Sequence, residues 1–125
     1  MYTSLYNVYI ALGGADMAGI LGSFEQLVML AVLRHGESAY ANTVREELES
    51  IGGRSISRGA LYRTLDRLES KAYLQSVFEG AVIPERGGHP MRRFELTGRG
   101  LAELKASRAT LLRFWDGLEQ VLSDR

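Results

Sequence analysis

Ser57-Arg58-Gly59-Ala60-Leu61-Tyr62-Arg63-Thr64-Leu65-Asp66-Arg67-Leu68-Glu69 divides into an apolar face and an arginine face at helical spacing. Leu61, Leu65, Leu68 and, further on, Ala72 stand at i, i+4, i+7 and i+11, which stacks them on one side of a helix. Arg63 and Arg67, one turn apart, point the other way. Ser57 is placed to accept a hydrogen bond from an amide of the first turn, so a helix is predicted over Ser57 to Lys71. A capped start with outward arginines is what reading the DNA major groove requires.

Upstream of this stretch, Ser23 and Gln26 carry a capping-box spacing, and Phe24, Leu27, Val28, Leu30, Ala31 and Leu33 predict a strongly buried helix that His35-Gly36 ends. A second helix is predicted from about Ala39 to Ser50, with Ala41, Val44 and Leu48 inward and Arg45, Glu46, Glu47 and Glu49 outward. Ile51 to Ile56 form the turn into the arginine-bearing helix. At the start of the chain, Tyr2, Leu5, Tyr6, Tyr9 and Leu12 keep a loose helical period that Gly13-Gly14 interrupts. This segment is either a short extra helix or, if Met17 is the natural start, an extension with no fixed role.

Downstream the period changes. Leu74 to Phe78 and Met91 to Leu96 suit two short strands, joined by a basic loop that holds Gly80, Pro84, Gly87, Gly88 and Pro90. Thr97 can cap a last helix whose apolar positions Leu101, Leu104, Leu111, Trp115, Leu118 and Leu122 nearly keep a 3, 4 alternation, broken at Arg108. Such a stripe calls for a partner helix. The expected fold is therefore mainly α with a small β-hairpin: a winged helix-turn-helix plus a long C-terminal dimerisation helix. The division is an N-terminal extension over 1–20, the winged helix-turn-helix over 21–97 and the dimerisation helix over 98–125.

A chain of 125 residues, 46% of them hydrophobic, is one small globular domain. Its formal net charge is zero, but position matters more than the total. Between Arg54 and Arg99 stand nine basic residues and five acids, whereas residues 1–53 carry two bases and six acids. A local basic patch is what meets phosphate. There is no cysteine, hence no disulfide framework and no zinc-thiolate site. With no apolar run of about 18 residues and no basic signal-peptide start, the expected location is the cytoplasm, away from membranes. The chain is not expected to be an enzyme. His35 and His89, the only histidines, suit neither a metal cluster nor a nucleophile–base pair, and Gly98-Arg99-Gly100 lacks the third glycine of a dinucleotide fingerprint. No cofactor and no metal are expected.

Ser57-Arg58-Gly59-Ala60-Leu61-Tyr62, Leu65 with Arg67-Leu68-Glu69, and Gly88-His89-Pro90-Met91-Arg92-Arg93-Phe94-Glu95-Leu96-Thr97 together resemble the PadR-type transcriptional regulators. The likeness covers about Leu21 to Leu122. Two departures stand out: the family usually has proline where Arg63 stands, and glycine near Ala72. The single terminal helix resembles the family's short subgroup, which implies a homodimeric repressor. The resemblance also implies that Tyr40 and Tyr62 offer hydroxyls to the DNA backbone.

The residues expected to meet double-stranded DNA are Tyr40, Ser57, Arg58, Gly59, Ala60, Tyr62, Arg63, Arg67, Arg92 and Arg93. Ser57, Arg58, Gly59, Ala60 and Arg63 lie where side chains reach base edges, and Arg67 lies where it touches phosphate. Arg92 and Arg93 alternate on a strand, so one at most faces DNA while the other braces the wing. The competing account of Arg63 is a surface ion pair with Asp66 or Glu69, worth about 0.3 to 0.5 kcal/mol.

Leu104, Leu111, Phe114, Trp115, Leu118 and Leu122 are the expected dimerisation residues. Trp115 either fills the dimer seam or lines a pocket between protomers that stacks a small aromatic effector. A homodimer implies a dyad-symmetric operator with half-sites about 34 to 36 Å apart. The rival function is a winged-helix module for protein contacts without DNA binding.

Overall fold

The computed structural model of the chain describes residues 21–79 and 91–123. Residues 1–20, read as either a short extra helix or an extension with no fixed role, and the loop between the strands with His89, lie outside the described residues. In chain order the elements are α1 (Ser23–His35), a 3-10 turn (Gly36–Ser38), α2 (Ala41–Gly52), α3 (Arg58–Ser70), β1 (Leu74–Glu79), β2 (Met91–Leu96) and α4 (Gly98–Trp115). The strands pair antiparallel, from Leu74 opposite Leu96 to Glu79 opposite Met91. This is the expected winged helix-turn-helix. Two compact units are present, residues 22–101 and residues 1–21 with 102–125.

The core of the 22–101 unit comprises Val28, Met29 and Val32 of α1, Val44 and Leu48 of α2, Leu61, Leu65 and Leu68 of α3, and Leu74 and Phe94 of the wing. Each leucine buried on α3 contributes about 1.5 to 3 kcal/mol, so the apolar stripe fixes which face of α3 turns outward. Ser57 caps α3 as expected, its Oγ accepting from the Ala60 amide at 3.1 Å. On the edge away from β1, β2 is joined to the residues before α2: the Phe94 amide donates to the Ala39 carbonyl at 2.9 Å.

Four local expectations differ from the structure. The N-cap of α1 is Gly22, and the residue that returns to it is Glu25, not Gln26: the Gly22 amide donates to Glu25 Oε1 at 3.1 Å. Leu27, Leu30 and Leu33 are 51%, 43% and 46% exposed, so α1 is buried only on the face of Val28, Met29, Ala31 and Val32. Ala72 is not on the buried face of α3. It lies two residues beyond the helix with φ at 63°, turning the chain back so that β1 can start.

The fourth concerns the terminal helix, which ends at Trp115 and does not reach Leu122. Gly117 takes φ 85° there, a left-handed conformation that stops a helix, and Leu118 and Leu122 lie in the turns that follow. Thr97 starts α4, as its position predicted. Its Oγ1 accepts from the Gly100 amide at 2.9 Å and donates to the Ala72 carbonyl at 2.6 Å. Glycine at 100 is a packing requirement, since a Cβ there would lie 2.0 Å from the Tyr73 carbonyl oxygen.

In the other unit, Leu104 and Ser107 are buried, and the Leu21 amide donates to Ser107 Oγ at 2.9 Å. Leu111, Leu112, Phe114, Trp115, Leu118, Val121 and Leu122 are exposed. No helix among the described residues is long and apolar enough to cross a membrane.

Candidate nucleic-acid interface

The turn that delivers α3 is fixed by two side chains of α2. Glu49 Oε2 accepts from the Ile56 amide at 2.7 Å, while Arg45 Nε donates to the Ile56 carbonyl at 2.7 Å. Arg45 and Glu49 are themselves 3.8 Å apart, so one i,i+4 pair holds both polar groups of the residue before the cap. Sequence reading gave these two side chains only an outward position; their spacing was the signal.

Beyond the cap, Arg58, Tyr62 and Arg63 are exposed, and Arg54 is exposed in the preceding turn. Among the described residues, the side chains of Arg54, Arg58 and Arg63 have no ion pair and no hydrogen bond. Gly59 makes room for Arg63: a Cβ at 59 would stand 3.2 Å from Arg63 Nη1, which places that guanidinium over the first turn of α3. The ion pair that competes with a DNA role for Arg63 is not formed. Its two candidate acids face Arg92, whose Nη2 lies 3.7 Å from Asp66 Oδ1 and hydrogen-bonds Glu69 Oε1.

Arg92 therefore ties the wing to α3. Its Nε also donates to Ser76 Oγ at 2.8 Å, Ser76 in turn donates to Glu69, and the guanidinium lies 4.6 Å over the Phe94 ring. Arg93, on the opposite face of the strand, donates to Glu79 at 2.7 Å and to Glu95 at 3.0 Å. The Tyr40 hydroxyl donates to Glu79 Oε1 at 2.8 Å, joining the start of α2 to the same cluster. These contacts hold both acids below the usual carboxylate range: Glu79 through Tyr40 and then Arg93, Glu95 through Gln75 and then Arg93. Where one of the two wing arginines was expected to brace the wing, both have acid partners.

Arg67 is likewise engaged, its Nε donating to Glu25 Oε2 at 3.1 Å. Lys71 Nζ donates to the same oxygen at 2.8 Å. Glu25 was missed by sequence reading, although an acid among Phe24, Leu27 and Val28 on an apolar helix needs cations brought to it.

Tyr40, Arg58, Tyr62 and Arg92 are brought together around one open cleft of about 660 Å³, floored by Leu61 and Phe94 and bounded by Asn42, Arg45 and Met91. Arg63, Arg67 and Arg93 do not line it. Trp115 lines neither this cleft nor a smaller one of about 360 Å³ beside Leu33, Leu96 and Leu101. Among the described residues no group of three or more His, Asp or Glu side chains is arranged to hold a metal ion.

Known proteins share this fold. Residues 29–106 match the family model described as the transcriptional regulator PadR-like family. A PadR-like transcription factor from Bacteroides fragilis superposes with a TM-score of 0.64 at 22% identity, covering 94% of this chain and 99% of that one. A PadR family transcriptional regulator from Eggerthella lenta gives 0.60 at 24% identity, covering 97% and 94%. One from Clostridium difficile gives 0.60 at 18% identity, covering 81% and 100%. Comparison with the curated proteins finds no match. With more than half of the chain matched by the family model and the winged fold formed around the matched residues, the chain belongs to the PadR-like family of transcriptional regulators.

Proposed function

We propose that the protein is a homodimeric repressor that reads a dyad-symmetric DNA site, α3 entering the major groove and the wing lying along the backbone. The observation that carries this reading is the set Arg54, Arg58 and Arg63: three exposed cations at the start of the recognition helix, with no partner among the described residues. A solvated charge face of ordinary kind would draw Arg63 onto Asp66 or Glu69, and here those acids face Arg92. Arginine suits bidentate contact with guanine, worth about 1 to 3 kcal/mol of discrimination per pair. Tyr40 and Tyr62 line the cleft beside Arg58, which supports a role for both against the DNA backbone.

The test is titration of the full chain with duplex DNA from upstream of its own coding region, across a range of salt. Tight binding with a steep salt slope is the expected result, and Arg63→Ala should weaken it about tenfold or more. No affinity at low salt would favour the rival reading, a protein-contact module. Unchanged affinity and slope in Arg63→Ala would remove that residue from the interface.

Homodimerisation is supported by the exposed apolar residues Leu111, Phe114, Trp115, Leu118 and Leu122, while Leu104 is already buried within the chain. Trp115, half exposed, remains the residue on which an aromatic effector would stack. Quenching of its fluorescence by a panel of aromatic compounds tests that role, and an absence of quenching would leave Trp115 to the dimer seam.

A further inference from the structure

The second half of α3 is held by a buried acid. Glu25 is 7% exposed, and its two oxygens accept from three donors: the Gly22 amide at 3.1 Å, Arg67 Nε at 3.1 Å and Lys71 Nζ at 2.8 Å. A carboxylate is buried at this depth only when such donors surround it. The cations it takes follow Arg58 and Arg63 along the same chain segment, one just inside the end of α3 and one at its C-cap.

Cations that reach phosphate raise affinity for every duplex equally, and each adds about 0.9 to the slope of log affinity against log salt. Base contacts alone discriminate. A helix that brought all four cations to DNA would bind more tightly and read less. We propose that Glu25 is a positioning residue of the recognition helix, which withholds Arg67 and Lys71 from phosphate and leaves Arg58 and Arg63 as the cations of α3 that meet DNA. The proposal rests on the DNA-binding reading above. It changes the role of Arg67 from phosphate contact to anchor: Nε is on Glu25, and Nη2 lies 3.4 Å from Thr64 Oγ1.

The experiment is fluorescence anisotropy of the full-length wild type, Arg67→Gln and Glu25→Gln, each with the upstream duplex and with a random-sequence duplex between 50 and 200 mM KCl. Wild type that binds neither duplex at 50 mM overturns the DNA-binding reading itself. Given wild-type binding, Arg67→Gln is expected to keep the wild-type slope on the random duplex. Glu25→Gln is expected to steepen it by about 3.6 for the bound dimer, from two cations released in each protomer, losing about 100-fold more affinity over that salt range, with a reduced preference for the upstream duplex. A slope shallower by about 1.8, or about 0.9 for each protomer of the dimer, in Arg67→Gln would put Arg67 on phosphate and overturn the proposal. An unchanged slope in a Glu25→Gln protein that melts cooperatively would overturn it equally. If Glu25→Gln does not fold, the Arg67→Gln slope decides alone.

Discussion

Ala72 sits at φ 63°, a left-handed conformation that costs a residue with a Cβ roughly 1 to 2 kcal/mol. Nothing offsets this cost through packing, since the side chain is exposed. Ala72→Gly should therefore stabilise the protein by about 0.5 to 1 kcal/mol after the greater unfolded-state freedom of glycine is counted. Thermal unfolding checks it: an unchanged or lower melting temperature would show that the turn is not strained. At Glu25, burial alone raises the carboxyl's proton affinity, but hydrogen bonds from Lys71, Arg67 and the Gly22 amide outweigh it and hold the group below its ordinary 4.5. A carboxylate with a depressed folded-state pKa adds stability above its unfolded value, and that stability is lost as pH falls through the folded one. Wild type should accordingly lose melting temperature on acidification below about pH 4.5. Glu25→Gln should be less stable at pH 7 by about 1 to 3 kcal/mol, yet lose less between pH 7 and pH 3. Equal acid sensitivity would place the titrating group elsewhere. Sequence alone could not reveal either residue's state, because both depend on where distant chain returns. Ala72 satisfies the period of α3 and yet lies outside it, and the partners of Glu25 stand 42 and 46 positions away.

Among the elements, what sequence conveyed best was periodicity and capping. The leucine stripe and Ser57 set α3 to within a residue at each end, and β2 runs from Met91 to Leu96 as its pattern predicts. What it conveyed least was which acid each arginine takes, since several lie within reach of each. Arg63 and Arg92 both had candidate partners in Asp66 and Glu69, and the fold assigns those acids to Arg92 because β2 pairs beside β1 at the register that brings Arg92 next to Ser76 and α3. The wing is thus held to the recognition helix by a planar guanidinium that hydrogen-bonds Ser76 and Glu69 while covering Phe94. Lysine keeps the charge but cannot fork or stack. Arg92→Lys should then cost about 1 kcal/mol of stability and weaken DNA binding several-fold through a looser wing, with the salt slope unchanged. In Arg92→Gln, which removes the charge as well, a slope shallower by about 0.9 for each protomer bound would mean that Arg92 leaves Glu69 for phosphate when DNA is bound.

For the whole molecule, a neutral formal charge conceals an uneven distribution, and the described basic residues of the middle segment divide into those with acid partners and those without. Arg67, Lys71, Arg92 and Arg93 are paired with acids, whereas Arg54, Arg58, Arg63 and Arg99 are not; Arg99 lies over the Tyr73 ring, and the other three cluster at the start of α3. Three cations give a single chain modest phosphate affinity, which makes a second copy the natural source of both strength and reading length. On the proposed reading, the exposed apolar residues at the end of α4 and in the turns after it would be the surface for that copy: Phe114 is 76% exposed and Leu111 and Trp115 about half so. Leaving such a cluster in water is unfavourable by about 25 cal/mol for each Å². Sedimentation should therefore find a dimer at micromolar concentration. Leu111→Glu with Trp115→Ala should shift it to monomer, and affinity for the upstream duplex should fall about 100-fold or more, because each recognition helix then binds alone. The double variant keeps the buried residues of the 22–101 unit intact, so that unit should still melt cooperatively. A wild type that sediments as a monomer, or a monomeric variant that binds DNA as tightly as wild type, would mean that one winged helix suffices and that the terminal apolar surface serves another purpose.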